Sequence, residues 1–383
     1  MPAQTIQPAQ TVKTKIHYID NLRVLLTVLV ILHHTTITYG GPGGWYCRDP
    51  TTSTGALIPM TLFVATNQAF FMGFFFFLSA LFTDVSYYKK GARQFIADRL
   101  KRLGIPLLFY SLLFAPVLNY LVYRFGQGKT ASFLQYLGGY DSWISFGVLW
   151  FVAALLLFTL VYAAIQKINA GKAHKAYSLP GNNTILLFAA ALGVISFVVR
   201  IFFPVGWVLQ PVGFQLGHFT QYIALFCLGI VASRNNWLNK LDVKRGRRWL
   251  MLSILMVLVI FPSFYAVKEA THSPLDAFQG NGSWQSFLSA VWEQVTGISI
   301  IMALLCITKA KWNTSTPFMQ KMARAAFATY IIHPLIVISF TLFLKGWQVN
   351  PAFKLLAAAP VVVIASFMLG SLLVKIPVVK NIV

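Results

Sequence analysis

Apolar runs of about the length that crosses a bilayer, roughly 20 residues, follow one another along almost the whole chain. They lie at residues 22–39, 57–82, 103–125, 144–165, 184–203, 211–232, 249–267, 287–307, 325–344 and 352–373. Sequences typical of turns separate several of them, including GGPGG at 40–44, GQGK at 126–129 and QGNGS at 279–283. The pattern predicts an all-α, polytopic integral membrane protein with ten transmembrane helices.

The composition agrees with a chain that lies in a lipid bilayer. Of its 383 residues, 57% are hydrophobic and 10% are charged, whereas a soluble domain carries about 25% charged residues. In a soluble protein, the net charge of +22 would indicate a nucleic-acid partner. The positions of the basic residues exclude that partner here, because they follow the topology of the predicted helices.

Lysine and arginine concentrate in alternate connections between the predicted helices. Of the 31, 24 fall on the side that also holds the N-terminus, six fall on the other side, and Arg200 lies inside a predicted helix. An excess of positive charge marks the cytoplasmic side of a membrane protein. We therefore expect both termini to be cytoplasmic.

A single domain is expected over residues 16–383, preceded by a short disordered cytoplasmic tail at 1–15. No small-residue cleavage site follows the first apolar run, so this run is predicted to be an uncleaved helix. No appended domain is expected beyond Val383. No Cys/His spacing suits a metal and no two cysteines are placed to pair; the three cysteines are Cys47, Cys227 and Cys306.

Among the ionisable side chains inside predicted helices, four are singled out between mid-membrane and the outer side: His34, Arg200, Glu293 and His333. Such groups are costly in the hydrocarbon and tend to be functional. One aqueous cavity is expected to hold them all. Structural interpretations stay open for three of them: a hydrogen-bonded histidine at His333, a snorkelling side chain at Arg200, and a Glu–Arg pair between helices at Glu293.

The first predicted helix begins with Arg23 and carries two adjacent histidines, His33 and His34, near its far end. The eleven-residue separation, at about 100° per residue, brings His34 within about 20° of Arg23 around the helix. The two therefore share a face, with Arg23 at the cytoplasmic mouth and His34 deep in the membrane. His33 points about 80° away and is expected to pack or to orient its neighbour. Asn67 and Gln68, in the second helix, are expected to form hydrogen bonds between helices.

A compact basic segment, KKGARQFIADRLKRLGIP, joins the second and third predicted helices. Arg99 and Arg102 lie three residues apart and are predicted to share a helical face, with Lys101 nearby. Attraction to anionic lipids explains such a cluster, and so does binding of the phosphates of a nucleotide-bearing ligand. No Walker or G-x-G-x-x-G sequence offers another phosphate site.

Seven segments of the chain occur in a recognisable order: YIDNLRVLLTVLVILHH, FFFFLSALF, RLKRLGIPLL, LWFVAALL, VVRIFFPVG, ATYIIHPL and KIPVVKNIV. By these segments the sequence resembles the acyltransferase-3 family of bacterial membrane acyltransferases over nearly its whole length, most closely the branch that acylates periplasmic glucans. Each segment alone is a weak match, whereas the ordered set is specific. Two positions depart from the family pattern, since Ser79–Ala80 replaces the usual Ser-Gly and Val148 stands where relatives often have a polar residue.

The resemblance implies a multi-pass protein of the bacterial cytoplasmic (inner) membrane. It implies an acyl-CoA donor, such as acetyl-CoA or succinyl-CoA, from the cytoplasm, and an acceptor hydroxyl on a carbohydrate or glycolipid at the outer side. By this resemblance, the essential histidine of the family corresponds to His34. The other functional positions of the family fall on Arg23, Arg99, Arg102, Arg200, Glu293 and His333.

The resulting hypothesis is transmembrane O-acyl transfer. The cations Arg23, Arg99, Lys101 and Arg102 bind the donor, and His34 acts as general base on the acceptor hydroxyl. Arg200 or a nearby amide stabilises the oxyanion, and Glu293 orients His34 or binds the sugar. A variant in which His34 carries the acyl group covalently stays open.

Two other classes of function fit parts of the pattern. An ion-coupled transporter or flippase would also use buried ionisable residues, although neither an internal twofold repeat nor paired broken helices are seen. A non-catalytic receptor or scaffold explains neither the Arg23–His34 spacing nor the loop arginines. Outer loops rich in aromatic residues, GWYCRDP and GGYDSW, suit either stacking on sugar rings or an interfacial belt. The acyl group, the acceptor and the oligomeric state are not determined by the sequence.

Overall fold

The computed structural model of the protein describes residues 16–170 and 175–382. The expected tail at 1–15 lies outside these residues. Within them, ten helices are long and apolar enough to cross a membrane, as predicted: α1 (His17–Thr38), α2 (Thr54–Ala80), α3 (Thr83–Gly126), α4 (Gly147–Ile168), α5 (Asn182–Phe202), α6 (Leu216–Arg234), α7 (Val243–Ala270), α8 (Trp284–Lys311), α9 (Pro317–Leu344) and α10 (Pro351–Leu373). The described part holds one isolated β-bridge and is otherwise helical or irregular. The all-α prediction is confirmed.

The starts of the last four helices follow from their capping sequences. The side chains of Asp242, Ser283, Thr316 and Asn350 each accept a hydrogen bond from a backbone N–H in the first turn of α7, α8, α9 and α10. Such caps satisfy donors that have no partner inside the helix. A proline follows the cap in α9 and α10, where its missing N–H has no cost.

Helix α3 departs most from its predicted bounds, because it starts at Thr83, well before the apolar run. Its backbone leaves helical geometry at Gly91, where φ is 75° and ψ is 161°, a conformation that glycine adopts with little strain. Three stretches of α3 are π-helical, at Leu100–Gly104, Tyr110–Phe114 and Val122–Gly126. The first of them contains two of the predicted donor-binding cations.

The helices form an inner group with a partial outer layer. Helices α1, α2, α8 and α9 are the most buried, and α7 is the most peripheral: 72% of the most apolar stretch of α8 is buried, against 6% in α7. The main packed pairs are α9 with α10, α7 with α8, α2 with α6, α5 with α8, and α1 with α9. Several of the most buried ionisable side chains, such as His333 and Glu293, are carried by these inner helices.

Hydrogen bonds made by the segments that connect the helices identify the two ends of the bundle. At the end where α1 begins, Asn21 donates to the carbonyl of Trp312, and Lys309 donates to the carbonyls of Asn239 and Leu241. We call this end the basic side, because most lysines and arginines are predicted to lie there. At the opposite side, Lys354 pairs with Asp49 at 2.8 Å, which joins the α9–α10 region to the α1–α2 connection. The assignment of the basic side to the cytoplasm stays a prediction.

A polar network on the basic side ties three helices together. The Asp84 carboxylate of α3 accepts hydrogen bonds from Arg234 of α6, at 2.8 and 2.5 Å, and from the Tyr162 hydroxyl of α4, at 2.5 Å. Asp84 and Tyr162 are buried. The network secures the base of α3, next to the basic segment.

Two central helices, α2 and α8, approach each other closely at a glycine. A Cβ atom on Gly297 would lie 2.0 Å from the carbonyl oxygen of Ala69, with the amide of Gln221 2.9 Å away. That amide also donates to the Ala69 carbonyl at 2.8 Å and so joins α6 to the same crossing. The contact is one helical turn from Glu293, so it also fixes the position of that carboxylate.

We predict that Gly297→Ala destabilises the protein because the backbone of α2 cannot move away without breaking the Gln221 contact. Overpacking of this kind costs about 1–3 kcal/mol, and we expect a lower melting temperature in detergent. Gly55→Ala is the matched control, since the nearest atom to its added Cβ is 4.0 Å away. Equal melting temperatures for the two variants would contradict the close approach.

Candidate functional site

Three aromatic rings gather around His34 near the opposite side of the bundle. The imidazole of His34 stacks on the indole of Trp45, with ring centroids 4.1 Å apart and planes inclined by 21°. It also stacks on the imidazole of His333 from α9, at 5.3 Å and 17°. Trp45 lies in the connection that follows α1 and folds back over the helix end. We call His34, Trp45 and His333 the histidine cluster.

Several nitrogen atoms of this cluster are buried without a hydrogen-bond partner in the protein. They are His34 Nδ1, His333 Nε2 and Trp45 Nε1. His333 Nδ1 lies 2.7 Å from the carbonyl oxygen of Tyr330. Because a carbonyl only accepts, Nδ1 carries the proton, and the lone pair of His333 is on Nε2. The cluster thus holds an imidazole lone pair and an indole N–H that no protein group uses.

The two histidines of the cluster differ in accessibility. His333 is 0% exposed, whereas His34 is partly exposed. His33, the neighbour of His34, is buried and packs on the ring of Phe71 at 4.9 Å. This agrees with the expectation that His33 packs, and it leaves His34 as the imidazole that a substrate can reach.

A second cluster joins α5, α6 and α8. Arg200 donates to the Glu293 carboxylate at 2.7 Å and to the carbonyl of Gly217 at 3.1 Å. His218 Nδ1 lies 3.0 Å from the same carboxylate oxygen, so it is the protonated nitrogen that donates to it. Arg200 is 1% exposed. We call Arg200, His218 and Glu293 the ion-pair cluster.

The ion-pair cluster decides between the interpretations that the sequence left open. A snorkelling role for Arg200 is wrong, since its side chain is buried and held by two partners. The Glu–Arg pair between helices is confirmed for Glu293. Its partners are Arg200 and His218 rather than His34. The guanidinium of Arg200 is thereby largely engaged, which leaves it less suited to stabilise an oxyanion.

The amides of α2 form the bonds between helices that were expected. Asn67 donates to the carbonyl of Leu29 in α1 at 3.2 Å, and Gln68 donates to the hydroxyl of Tyr222 in α6 at 3.2 Å. The ring of Tyr222 stacks near His218, with centroids 6.3 Å apart. Helix α2 therefore contacts both the helix that carries His34 and the helix that carries His218.

The four predicted intramembrane residues fall into two pairs rather than one group. His34 contacts His333, and Arg200 contacts Glu293, while a series of rings runs between the clusters: Tyr330, Phe151, Phe76 and Tyr222. A cavity of about 350 Å³ is lined by Arg200 and Glu293, together with Thr61, Lys268 and Trp292. It opens near the opposite side of the bundle.

The predicted donor-binding cations lie on the basic side. Lys101 and Arg102 are exposed, and the guanidinium of Arg99 lies over the ring of Phe95, 4.9 Å from its centroid. Arg23 pairs with Asp20 at 3.3 Å and lies 4.9 Å from the centroid of Phe82.

The π-helical turn lies between the α-helical part that ends at Arg99 and the apolar part of α3, and it contains Arg102. That the two arginines share a face stays a prediction. Both remain at the entrance of α3 into the membrane, where π-helical turns are often functional.

Sequence reasoning missed two residues of these clusters, His218 and Trp45. His218 lies inside the apolar run at 211–232, so the criterion that selected His333 would have selected it too. The sequence marked Trp45 only as part of the aromatic segment GWYCRDP, because its position beside His34 depends on how the α1–α2 connection folds back.

Comparisons with known proteins agree with this architecture. A family model described as an acyltransferase domain matches residues 16–375. The chain is similar to glucans biosynthesis protein C of Shigella dysenteriae serotype 1 (strain Sd197), with 22% identity over 377 residues, or 95% of this chain and 93% of that protein. Glucans biosynthesis protein C of Escherichia coli (strain K12) is 22% identical over 375 residues, with the same coverage. No solved structure matches the chain significantly.

The family match spans nearly all of the described chain. The buried ionisable residues at the centre of the bundle lie within that match. The chain therefore belongs to the acyltransferase-3 family and is a multi-pass membrane protein.

Proposed function

We propose that this protein transfers an acyl group from acyl-CoA on the basic side to a hydroxyl of a glycan or glycolipid on the opposite side of a bacterial inner membrane. Family membership supports acyl transfer. The names of similar proteins, which refer to glucans, support a glycan acceptor. The observation that carries the proposal is the histidine cluster, a set of buried and unpaired nitrogen atoms at a point accessible through His34.

His34 is the general base in this proposal. A base must reach the proton that it removes, and His34 is partly exposed whereas His333 is fully buried. His333 acts as a positioning residue, since its ring stacks on His34 and its own orientation is fixed by the carbonyl of Tyr330.

The indole N–H of Trp45 stabilises the oxyanion of the tetrahedral intermediate. It is a buried donor without a protein partner, and its ring is stacked on the base. A preorganised donor of this kind acts strongly in a water-excluded site. Arg200 is the weaker candidate, because its Nε and one Nη atom already donate to Gly217 and Glu293.

In the proposed transfer, His34 is the protein group that takes up the proton and gives it back. The acceptor hydroxyl loses its proton to His34 while its oxygen forms a C–O bond to the thioester carbon. The intermediate collapses as the C–S bond breaks, and the departing CoA thiolate takes the proton from His34. The products are the acyl ester and free CoA, and His34 returns neutral.

The ion-pair cluster and the basic segment have separate tasks. The Arg200–Glu293 pair positions α5, α6 and α8 around the outward cavity that it lines. Arg99, Lys101 and Arg102, with Arg23, bind the phosphates of the donor from the basic side, as clustered guanidinium and ammonium groups do.

We predict that His34→Ala lowers the rate of acyl transfer by at least about 10²-fold, because a general base contributes about that much. The rate is measured with purified protein, acetyl-CoA or succinyl-CoA and a glucan acceptor. His33→Ala is the matched control on the same helix and should keep most of the activity. Full activity of His34→Ala, with a normal melting temperature, would show that His34 is not the base.

We predict that Trp45→Phe lowers kcat by about 10²-fold with little change in KM, since it keeps the stacked ring and removes the N–H donor. Trp347→Phe, at an exposed tryptophan on the same side, should behave as the wild type. An unchanged kcat in Trp45→Phe would remove Trp45 as the oxyanion donor and return that role to Arg200.

We predict that CoA stabilises the protein by about 2.7 kcal/mol when its concentration is 100 times its Kd, and that Arg99→Ala/Arg102→Ala abolishes the shift at the same concentration. Arg247→Ala/Arg248→Ala removes equal charge from exposed positions on the basic side and serves as the control. No thermal shift with CoA, acetyl-CoA or succinyl-CoA in the wild type would contradict the donor and favour a transporter.

A further inference from the structure

We infer that the cavity between the outer end of α3 and the short helix Phe133–Gly138 binds a neutral oligosaccharide and forms a subsite for the acceptor. That this oligosaccharide is the acceptor rests on the proposed function. The cavity has a volume of about 570 Å³, within the range of about 300–1,000 Å³ that is usual for small-molecule sites. It lies in the α3–α4 connection, on the side opposite the basic segment.

Fixed aromatic rings form one wall of the cavity. The ring of Tyr136 lies 5.0 Å from that of Tyr123 and 5.7 Å from that of Tyr140, centroid to centroid. Tyr120 supports them from behind, 5.5 Å from Tyr136. All four side chains are partly buried. Such rings offer flat apolar faces to the C–H faces of pyranoses.

Amide, hydroxyl and carboxylate groups complete the lining. Asn119 donates to the hydroxyl of Tyr140 at 3.3 Å, and Ser142 donates to Asp141 at 2.9 Å. Gln135 is held by a capping box with Ser132 at the start of the short helix. These groups provide donors and acceptors in the mixture that sugar hydroxyls require.

The charge of the lining selects a neutral ligand. The described residues that line the cavity include the carboxylate of Asp141 and no lysine, arginine or histidine. An anionic glycan or a phosphate headgroup would meet the carboxylate of Asp141 in the lining, which repels it. The cations beside the cavity, Arg124 and Lys345, are outside the lining and each donate to a backbone carbonyl. The chemistry therefore fits an uncharged oligosaccharide.

The cavity is adjacent to the histidine cluster. Tyr46 lines the cavity, and the preceding residue, Trp45, stacks on His34. The Tyr46 hydroxyl is 3.0 Å from that of Tyr110, and burial raises the pKa of Tyr46 to about 12, so the Tyr46 hydroxyl stays protonated at neutral pH. A Cβ on Gly147, whose φ is 45°, would lie 2.5 Å from the Tyr46 hydroxyl. This glycine allows the α3–α4 connection to close over Tyr46.

An interfacial aromatic belt is the competing explanation of these tyrosines. Belt residues present their rings to lipid and headgroups, as the exposed Phe343 and Trp347 do on the same side of the protein. The rings of Tyr123, Tyr136 and Tyr140 instead contact one another around a cavity with polar groups. The arrangement therefore favours a ligand.

The test is saturation-transfer NMR on the protein in nanodiscs, with neutral gluco-oligosaccharides of α and β linkage as probes and no acyl-CoA. We expect binding to the wild type and a Kd raised by about tenfold or more in Tyr136→Ala, as for loss of a central aromatic contact. Tyr136→Phe, which keeps the ring, and Trp347→Ala, outside the cavity, should bind like the wild type. Carboxymethylated oligosaccharides should bind more weakly, and a neutral glycolipid placed in the disc distinguishes a lipid-linked source from a free one.

The inference is overturned if no neutral probe binds at millimolar concentration, if the carboxymethylated probe binds better, or if Trp347→Ala weakens binding as much as Tyr136→Ala. Because binding is measured without a donor, the result is independent of catalysis. If the wild type binds the probe, Tyr136→Ala does not, and the protein has no transferase activity, the subsite is supported and the proposed reaction is wrong. If the protein transfers acyl groups and Tyr136→Ala has an unchanged KM for the acceptor, the subsite is wrong and the proposed reaction stands.

Discussion

The ion pair between Arg200 and Glu293 is the interaction on which the outer half of the helical bundle depends. Both side chains are buried where α5, α6 and α8 meet, and either charge alone would be very costly in that environment. The carboxylate accepts from both Arg200 and His218, so its charge is compensated and its lone pairs are used. The position of these three helices, and of the cavity between them, follows from that requirement.

The histidine cluster differs from the ion-pair cluster in that several of its polar atoms have no hydrogen-bond partner. Buried polar groups in proteins are nearly always hydrogen-bonded, and the ion-pair cluster obeys this, but His34, His333 and Trp45 leave nitrogen atoms unpaired. Aromatic stacking holds the rings in place instead of hydrogen bonds. A site that is rigid and still has unused donors and acceptors is suited to a reacting molecule, which supplies the missing partners.

The hydrophobic pattern was sufficient to predict ten helices, since lipid permits helices with satisfied backbones and little else. It also identified Arg200, Glu293, His34 and His333, because ionisable residues stand out in apolar runs. The hydrophobic pattern could not show which of these four residues contact one another. Which histidine meets which carboxylate depends on helix packing over long distances in sequence, and the expectation of one shared cavity for all four proved too simple.

The predicted start of α3 is wrong for a similar reason. The apolar run marks where lipid begins, whereas Thr83 and the residues after it are held by contacts of Asp84 with Arg234 and Tyr162, which no local pattern reveals. Trp45 is the clearest case, since a loop tryptophan becomes part of the site only when the connection folds back onto α1.

In the proposed reaction, the residues that bind the acceptor are separate from the residues of the histidine cluster. Val148, where the resemblance led us to expect a polar residue, is buried, and its carbonyl accepts a hydrogen bond from the hydroxyl of Tyr330. Tyr330 in turn fixes His333 through its own carbonyl. A change of side chain at Val148 thus leaves the backbone support of the histidine cluster in place. The adjacent residues Trp45 and Tyr46 contact His34 and line the α3–α4 cavity, respectively. In the proposed reaction, acceptor preference can therefore vary in the α3–α4 connection while the geometry around His34 is retained.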